Sequence, residues 1–309
     1  MASGLSGFLN VNKPGGMSSH NVVAFVRRLL AQGVKVGHLG TLDPGACGVL
    51  PLAVGWATRT IQYLPPHRKS YRAEITLGTE TDTLDAQGQV VRTTTVPELS
   101  EQYLAKLCQS FQGSRLQVPP QVCALHVGGV RAYQLLRKGQ EVDLAPRPVH
   151  FYKVSLKRWN PEKKCFLLDV DCSSGTYIRS LARDIGEALG CAAHLSFLLR
   201  TSSGIFLLKE SHTIEDLRDN GVEANLLSVG SVLEASLGRC CFLEGQSFQG
   251  GQEFAVTYDR NGIELELSNY PPDEPWVVYD RLDNRFVGVG RITRGVNSIL
   301  VLRLERIAV

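Results

Sequence analysis

The chain of 309 residues has no Cys-x-x-Cys pair, no HExxH, no GxSxG, and neither of the phosphate-loop patterns GxxxxGK[ST] and GxGxxG. Its seven histidines do not fall at zinc-ligand spacing around the eight cysteines. These absences leave metal, serine and thiol chemistry without support, and nucleotide binding through those loops as well. Long hydrophobic runs are missing too. The longest, "ACGVLPLAVGWA" (46–57), is too short for a bilayer and contains Pro51 and two glycines. The start, "MASGLSGFLNVNKPGG", shows no basic leader followed by an apolar core, so a cytoplasmic protein with no membrane partner is expected. A strong charge of either sign is lacking: 33 basic against 30 acidic residues give +3, which permits nucleic acid as a partner without demanding it. A chain this long does not need disulfide staples, so the cysteines are expected to be reduced, buried thiols.

What is present is an ordinary globular composition, 43% hydrophobic and 20% charged, enough for one large domain with or without a small appendage. "SSHNVVAFVRRLL" (18–30) predicts an amphipathic helix capped by Ser18 or Ser19, with Val22, Val26, Leu29 and Leu30 on one face. "KSYRAEITLG" (69–78) alternates, with Tyr71, Ala73, Ile75 and Leu77 on one side, and predicts a half-buried strand. "KCFLLDVDCSSGTYIRSLARDIGEALG" (164–190) reads as strand, turn and helix, with Ile178, Leu181, Ile185 and Leu189 at helical spacing. Residues 118–154, rich in Pro and Gly around a short basic piece, read as an inserted element. After about residue 237, "EFAVTYD", "IELELS", "WVVYD", "FVGVG" and "ILVLRLERIAV" predict a small all-β domain.

Three residues invite a chemical reading. Asp43 lies in "GHLGTLDPGACGVLPLAVG" (37–55), where "LDPG" is a turn pattern and an Asp before Pro often caps its own turn. Yet His38 and Asp43 flank Gly40, Gly45 and Gly48 allow close backbone approach, and a loop carboxylate is how a nucleophile or general base is displayed. Arg179 falls in the first turn of its helix if Thr176 is the cap, where the helix dipole disfavours a cation. It either belongs to a solvated face with Arg183 and Glu187 or meets an anion, a phosphate or a carboxylate such as Asp43. Tyr71 is either a core tyrosine or a ring that stacks on a flat ligand. One carboxylate, one arginine and one tyrosine without a cofactor site suit covalent or acid–base carboxylate catalysis, and name no substrate.

"KVGHLGTLDPGACGVLPLAVGWATRTIQYL" (35–64) closely resembles the signature of the TruB family of tRNA pseudouridine synthases. "NKPGGMSSH" (12–20), "KSYRAEITLG", "TETDTLDAQGQV" (79–90) and "CSSGTYIRSLARDIGEALGCAAHLSFLLRTSSGIF" (172–206) match further blocks of that family in order, over roughly residues 7 to 235. The resemblance is nearer to bacterial members than to guide-RNA-dependent relatives. It implies an α+β fold: a catalytic domain (1–237) on a central, mainly antiparallel sheet with flanking helices, then a small β-rich PUA-like RNA-binding domain (238–309). It implies isomerisation of the T-loop uridine at position 55 of tRNA, with no metal, cofactor or guide RNA, by a monomer acting on the T-arm stem-loop.

Asp43 aligns with the family's essential aspartate, Tyr71 with the ring that stacks on the target base, and Arg179 with the arginine that pairs with the carboxylate. His38 aligns with a residue that assists base flipping, and Asp85, Tyr177 and Leu198 with active-site positions. Lys13, in "NKPGGMSSH", and Tyr133 are grouped with the RNA-binding residues. Residues 118–147 correspond to an RNA-clamping insertion. There the chain departs from pattern, with Val122-Cys123-Ala124-Leu125-His126 where the family usually carries Tyr-Ser-Ala-x-Lys. A non-catalytic RNA-binding protein on the same fold predicts loss of Asp43, Tyr71 or Arg179, and all three are present. A retaining glycosidase wants a second carboxylate near the first. None flanks Asp43, which leaves only Asp82 and Asp85 for that role.

Overall fold

The computed structural model describes residues 5–123, 126–127, 130–131, 144–243, 248–256, 274–294 and 300–308. In chain order the first part holds β1 (Gly7–Lys13), α1 (Ser19–Leu29), β2 (Val36–His38), β3 (Cys47–Val54), β4 (Lys69–Leu77), β5 (Thr79–Thr81), β6 (Val90–Thr93), α2 (Glu101–Ser110) and β7 (Gly113–Gln117). After β8 (His126–Val127) and β9 (Val130–Arg131) come β10 (Arg147–Asn160), β11 (Cys165–Cys172), α3 (Ile178–Ala188), β12 (Ala193–Ser203), β13 (Phe206–Leu207), α4 (Ile214–Asn220) and α5 (Val229–Leu237). The last part is all β: β14 (Cys240–Leu243), β15 (Glu253–Ala255), β16 (Pro275–Asp280), β17 (Phe286–Arg294) and β18 (Leu300–Ile307).

Among the described residues, nine strands form the central sheet in the order β1-β3-β12-β4-β11-β10-β7, with β2 added to β3 and β13 to β12. All of its pairings are antiparallel except β3 with β12, so the sheet is mainly antiparallel, as the family resemblance implied. The alternation in β4 puts Tyr71, Ala73, Ile75 and Leu77 in the core, while Arg72 stays outside and pairs with Asp169 of β11 at 2.8 Å. The long apolar run at 46–57 is mostly β3, and it is apolar on both sides for a reason. Leu50, Leu52 and Val54 pack into the main core with α1 and α3, whereas Val49 and Ala53 join Phe8, Val229 and Leu233 on the other face. A strand covered on both faces has no polar side to show.

Gly48 makes the one parallel junction feasible. Its φ is +100°, and a Cβ there would lie 2.3 Å from the carbonyl oxygen of Arg200 on β12. No side chain fits that approach.

Ser18 caps α1 by accepting from the Asn21 N–H at 3.1 Å, and Val22, Val23 and Val26 are buried. Leu29, expected on the apolar face, is exposed at the last residue of the helix, while Val26 before it is buried and Leu30 after it packs against the core. The five C-terminal strands form their own sheet, β14-β16-β17-β18-β15. It has a core of Cys241, Trp276, Val278, Ile292, Leu302 and Leu304 and shares Val277, Tyr279 and Val289 with the cluster on the second face of β3. "IELELS" lies outside the described residues. Cys108, Cys123, Cys172, Cys191 and Cys241 are buried. Among the described residues no helix is long and apolar enough to cross a membrane.

Candidate active site

The Asp43 loop joins β2 to β3 and is clamped from below. Buried Ser19, at the start of α1, accepts from the Leu42 N–H at 2.9 Å and donates to the Leu42 carbonyl at 2.8 Å. The Ala46 N–H donates to the Asp43 carbonyl at 3.1 Å, closing a turn whose second residue is Pro44, the position that proline's fixed φ suits. Gly16 N–H donates to the Pro44 carbonyl at 2.8 Å, which ties "NKPGG" under "LDPG". Lys13 completes the latch. It is fully buried, and its Nζ donates to the carbonyls of Pro14 (2.9 Å), Met17 (2.5 Å) and Pro44 (3.1 Å). Burial lowers its ammonium to about 8, Cys47 and Asp43 acting against the shift. Its three donors are consumed beneath the loop.

Asp43 turns its carboxylate toward Arg179. The Arg179 Nη2 donates to Oδ1 at 3.2 Å and Nε lies 2.9 Å from Oδ2, while Nη1 donates to the Thr83 carbonyl at 3.0 Å. The guanidinium is 4% exposed, and the Asp85 carboxylate stands 3.9 Å from Nε. Two carboxylates offset both the desolvation and the unfavourable first-turn position. The solvated-face reading goes to Arg183 instead, which pairs with Asp184 at 2.7 Å. The cap of α3 is Tyr177 and not Thr176, and its backbone is held by a side chain from β7. The Tyr177 N–H donates to Gln117 Oε1 at 2.9 Å, and Gln117 Nε2 donates to the Tyr177 carbonyl at 3.1 Å.

Tyr71 comes from β4, opposite Arg200 of β12, and Leu198 lies opposite Ala73. Burial pushes the Tyr71 phenol up to about 12, with the Arg200 guanidinium pulling the other way. Arg200 is fully buried and donates to the carbonyls of Val49 (2.6 Å), Thr41 (3.2 Å) and Gly40 (3.3 Å), binding the Asp43 loop to β12.

Asp43, Lys69, Tyr71, Tyr177, Arg179 and Leu198 line an open cleft of about 240 Å³. A second hollow of about 280 Å³ shares Asp43 and Leu198 and reaches Asp85 and exposed Phe197. Asp85 sits in a tight turn, its Oδ1 accepting from Thr83 Oγ1 (2.7 Å) and the Gln87 N–H (3.0 Å). His38 ends β2 opposite Leu52 and lines neither hollow. Tyr133 lies outside the described residues, as does most of 118–147. Buried Cys123, in the departing block, adjoins Tyr177; burial first and that thiol second push the Tyr177 phenol up to about 12.

Two residues of the cleft and its floor escaped the sequence reading. Lys69 continues the apolar face of β4 two positions before Tyr71, and a charge at an apolar-face position was the available signal. Arg200 had none, because register shifts between Leu195 and Phe197 and between Arg200 and Ser202 break the period of β12.

The family model for the N-terminal domain of TruB pseudouridylate synthases matches residues 27–178, and that for the C-terminal domain of tRNA pseudouridylate synthase B matches 179–234. The tRNA pseudouridine synthase B of Heliobacterium modesticaldum is 40% identical over 301 residues, covering 91% of this chain and 98% of its own. That of Symbiobacterium thermophilum is 50% identical over 218 residues, covering 70% and 72%. One chain of a solved Cbf5–Nop10–Gar1 complex shares the fold, with a TM-score of 0.70 at 24% identity over 98% of this chain and 85% of that one. The chain belongs to the TruB family of tRNA pseudouridine synthases.

Proposed function

We propose that the protein isomerises the T-loop uridine at position 55 of tRNA to pseudouridine, acting on the T-arm without guide RNA or cofactor. The observation that carries this reading is the carboxylate of Asp43, 35% exposed at the cleft while its buried partner Arg179 holds both oxygens. Relatives at 40 to 50% identity that are named for tRNA support the substrate. In the reaction the C1′–N1 bond breaks, the base turns, C5 bonds to C1′, and the proton lost from C5 is matched by one gained at N1. Asp43 acts on the ribose, as the nucleophile that captures C1′ or the base that takes a proton from C2′. Arg179 fixes which way its oxygens point.

A flipped uridine enters the cleft with its base against Tyr71 and Leu198, and stacking offsets the few kcal/mol lost on leaving the RNA stack. With its phenol at about 12, Tyr71 keeps its proton at neutral pH and serves as ring and hydrogen-bond donor. Tyr177 closes one wall, and Asp85 steadies Arg179 from behind. His38 assists flipping from the loop entrance. Residues 1–237 form the catalytic domain and 238–309 a small PUA-like RNA-binding domain, a boundary supported by the end of the family match at residue 234.

Asp43→Asn should abolish tritium release from T-arm RNA labelled at C5 of uridine while RNA binding stays within a few-fold of wild type. Undiminished release by that variant would sink the assignment.

A further inference from the structure

Among the described residues, every cation around the cleft but one is satisfied. Arg179 has Asp43 and the Thr83 carbonyl, while Arg200 and Lys13 each have three carbonyls. Lys69 lines the same cleft, and no acceptor or carboxylate among the described residues pairs with its Nζ. The ammonium lies against Gly40, where a Cβ would sit 3.2 Å from it. Burial, then repulsion from Arg200, lowers it to about 8, with Cys172 acting weakly the other way. A half-buried cation without a counter-charge is costly to place. It is held on a strand, beside Tyr71, on the face where the base would stack.

We infer that Lys69 is a further catalytic residue, whose ammonium pairs with the uracil ring as it takes up the electrons of the broken C1′–N1 bond. The inference rests on the uridine isomerisation proposed above. When that bond breaks, its electron pair goes to the ring and spreads over N1 and the carbonyl oxygens. The ammonium meets this charge without surrendering a proton, and the charge is spent when C5 bonds to C1′. A preorganised donor aimed at charge that develops only during reaction stabilises the transition state more than the bound substrate. A phosphate is the weaker candidate. It would bring a full negative charge in beside the Asp43 carboxylate, and phosphate contacts that position RNA are made by exposed side chains.

The groups facing Lys69 are Arg200 from β12, Cys172 from β11, Tyr71 on its own strand, His67 before it, and Asp43 across the cleft. The Cys172 thiol and Tyr71 phenol, both at about 12, stay neutral near pH 8, and the His67 imidazole, pushed down by burial, is neutral there too. Lys13, latched under the Asp43 loop, titrates over the same range, so the part of an alkaline fall that belongs to Lys69 is the part that a change at Lys69 removes.

The test is single-turnover tritium release from C5-labelled T-arm RNA, beside filter-binding affinity at several salt concentrations. Wild type should slow as pH rises through about 8. Lys69→Met should lose about 100-fold or more in rate at saturating RNA, with affinity and salt slope unchanged. Lys69→Arg should keep part of the rate and show a shallower alkaline fall, with only the share carried by Lys13 left. Lys69→Met matching wild type at saturating RNA overturns the assignment, as does a defect confined to affinity with the salt slope reduced by about one, which marks a phosphate contact. If Lys69→Met fails to fold, the wild-type profile and Lys69→Arg decide alone, and a flat wild-type profile or an alkaline fall unchanged in midpoint and depth in Lys69→Arg overturns it. Wild type that releases no tritium refutes the isomerase reading itself, and this inference with it.

Discussion

Lys69→Met should make the protein more stable while making it a poorer catalyst. Burial takes the Lys69 ammonium from its ordinary 10.5 down to about 8. Each pKa unit corresponds to about 1.4 kcal/mol, so holding this charge costs the folded state roughly 3 kcal/mol at neutral pH. The sign follows from proton counts. Below pH 8 the lysine is protonated both folded and unfolded, and the full cost applies. Between 8 and 10.5 the folded protein releases the proton while the unfolded chain keeps it, so wild-type stability gains on the variant as pH rises. Methionine has a similar length, no charge, and the flexibility to fill an irregular site. No ion pair among the described residues is lost in the exchange, because Lys69 makes none with them. Thermal unfolding of both proteins from pH 7 to pH 10 measures the difference. Cysteines and tyrosines that titrate in the unfolded chain affect both alike and cancel. The variant should unfold several degrees higher at pH 7, by about 2–3 kcal/mol, and the gap should narrow to less than about 1 kcal/mol by pH 10. A variant less stable at pH 7, or an advantage that persists unchanged to pH 10, would refute the reasoning.

Ser19→Ala strips both partners from the buried Leu42 backbone, and with 1–3 kcal/mol for each unsatisfied group it should cost about 2–4 kcal/mol in chemical denaturation. Because Leu42 precedes Asp43, the variant's single-turnover rate should drop as well; wild-type values for both would show the clamp to be idle. Gly48→Ala sets a Cβ 2.3 Å from the Arg200 carbonyl oxygen at a φ of +100°. It should destabilise by more than about 3 kcal/mol or fail to yield folded protein, as circular dichroism and thermal melting would report.

Much of the molecule could be read in advance wherever one physical pattern dominated. The period of two in Tyr71 to Leu77 survives because only one face of β4 is fully buried, and the helical spacing from Ile178 to Ile185 survives although the first turn of α3 is buried all round, Arg179 and Ser180 included. β3 was harder. Covered on both sides, it has no alternation, and its apolar run registered as a stretch too short for a membrane instead of as a strand through the middle of the sheet. Asp43 on local evidence alone could be a turn residue, and its turn does form; only Arg179, 136 positions on, draws the carboxylate away from it. Lys13 and Arg200 illustrate the remaining gap. A buried cation whose partners are backbone carbonyls leaves no complementary residue in the sequence to find, since every residue carries the acceptor.

The parallel seam between β3 and β12 has a consequence for how the protein is made. Arg200 reaches Val49 across 151 positions, and Leu198 completes the wall facing Asp43. Asp43 and Tyr71 therefore leave the ribosome long before the strand that closes the cleft around them. A growing chain that ends before β12 carries Asp43 and Tyr71 but lacks the strand that walls their cleft. Closing a loop of that length is slow compared with forming a helix or a hairpin. The young polypeptide can thus meet its RNA substrates during synthesis without holding one in a half-built site.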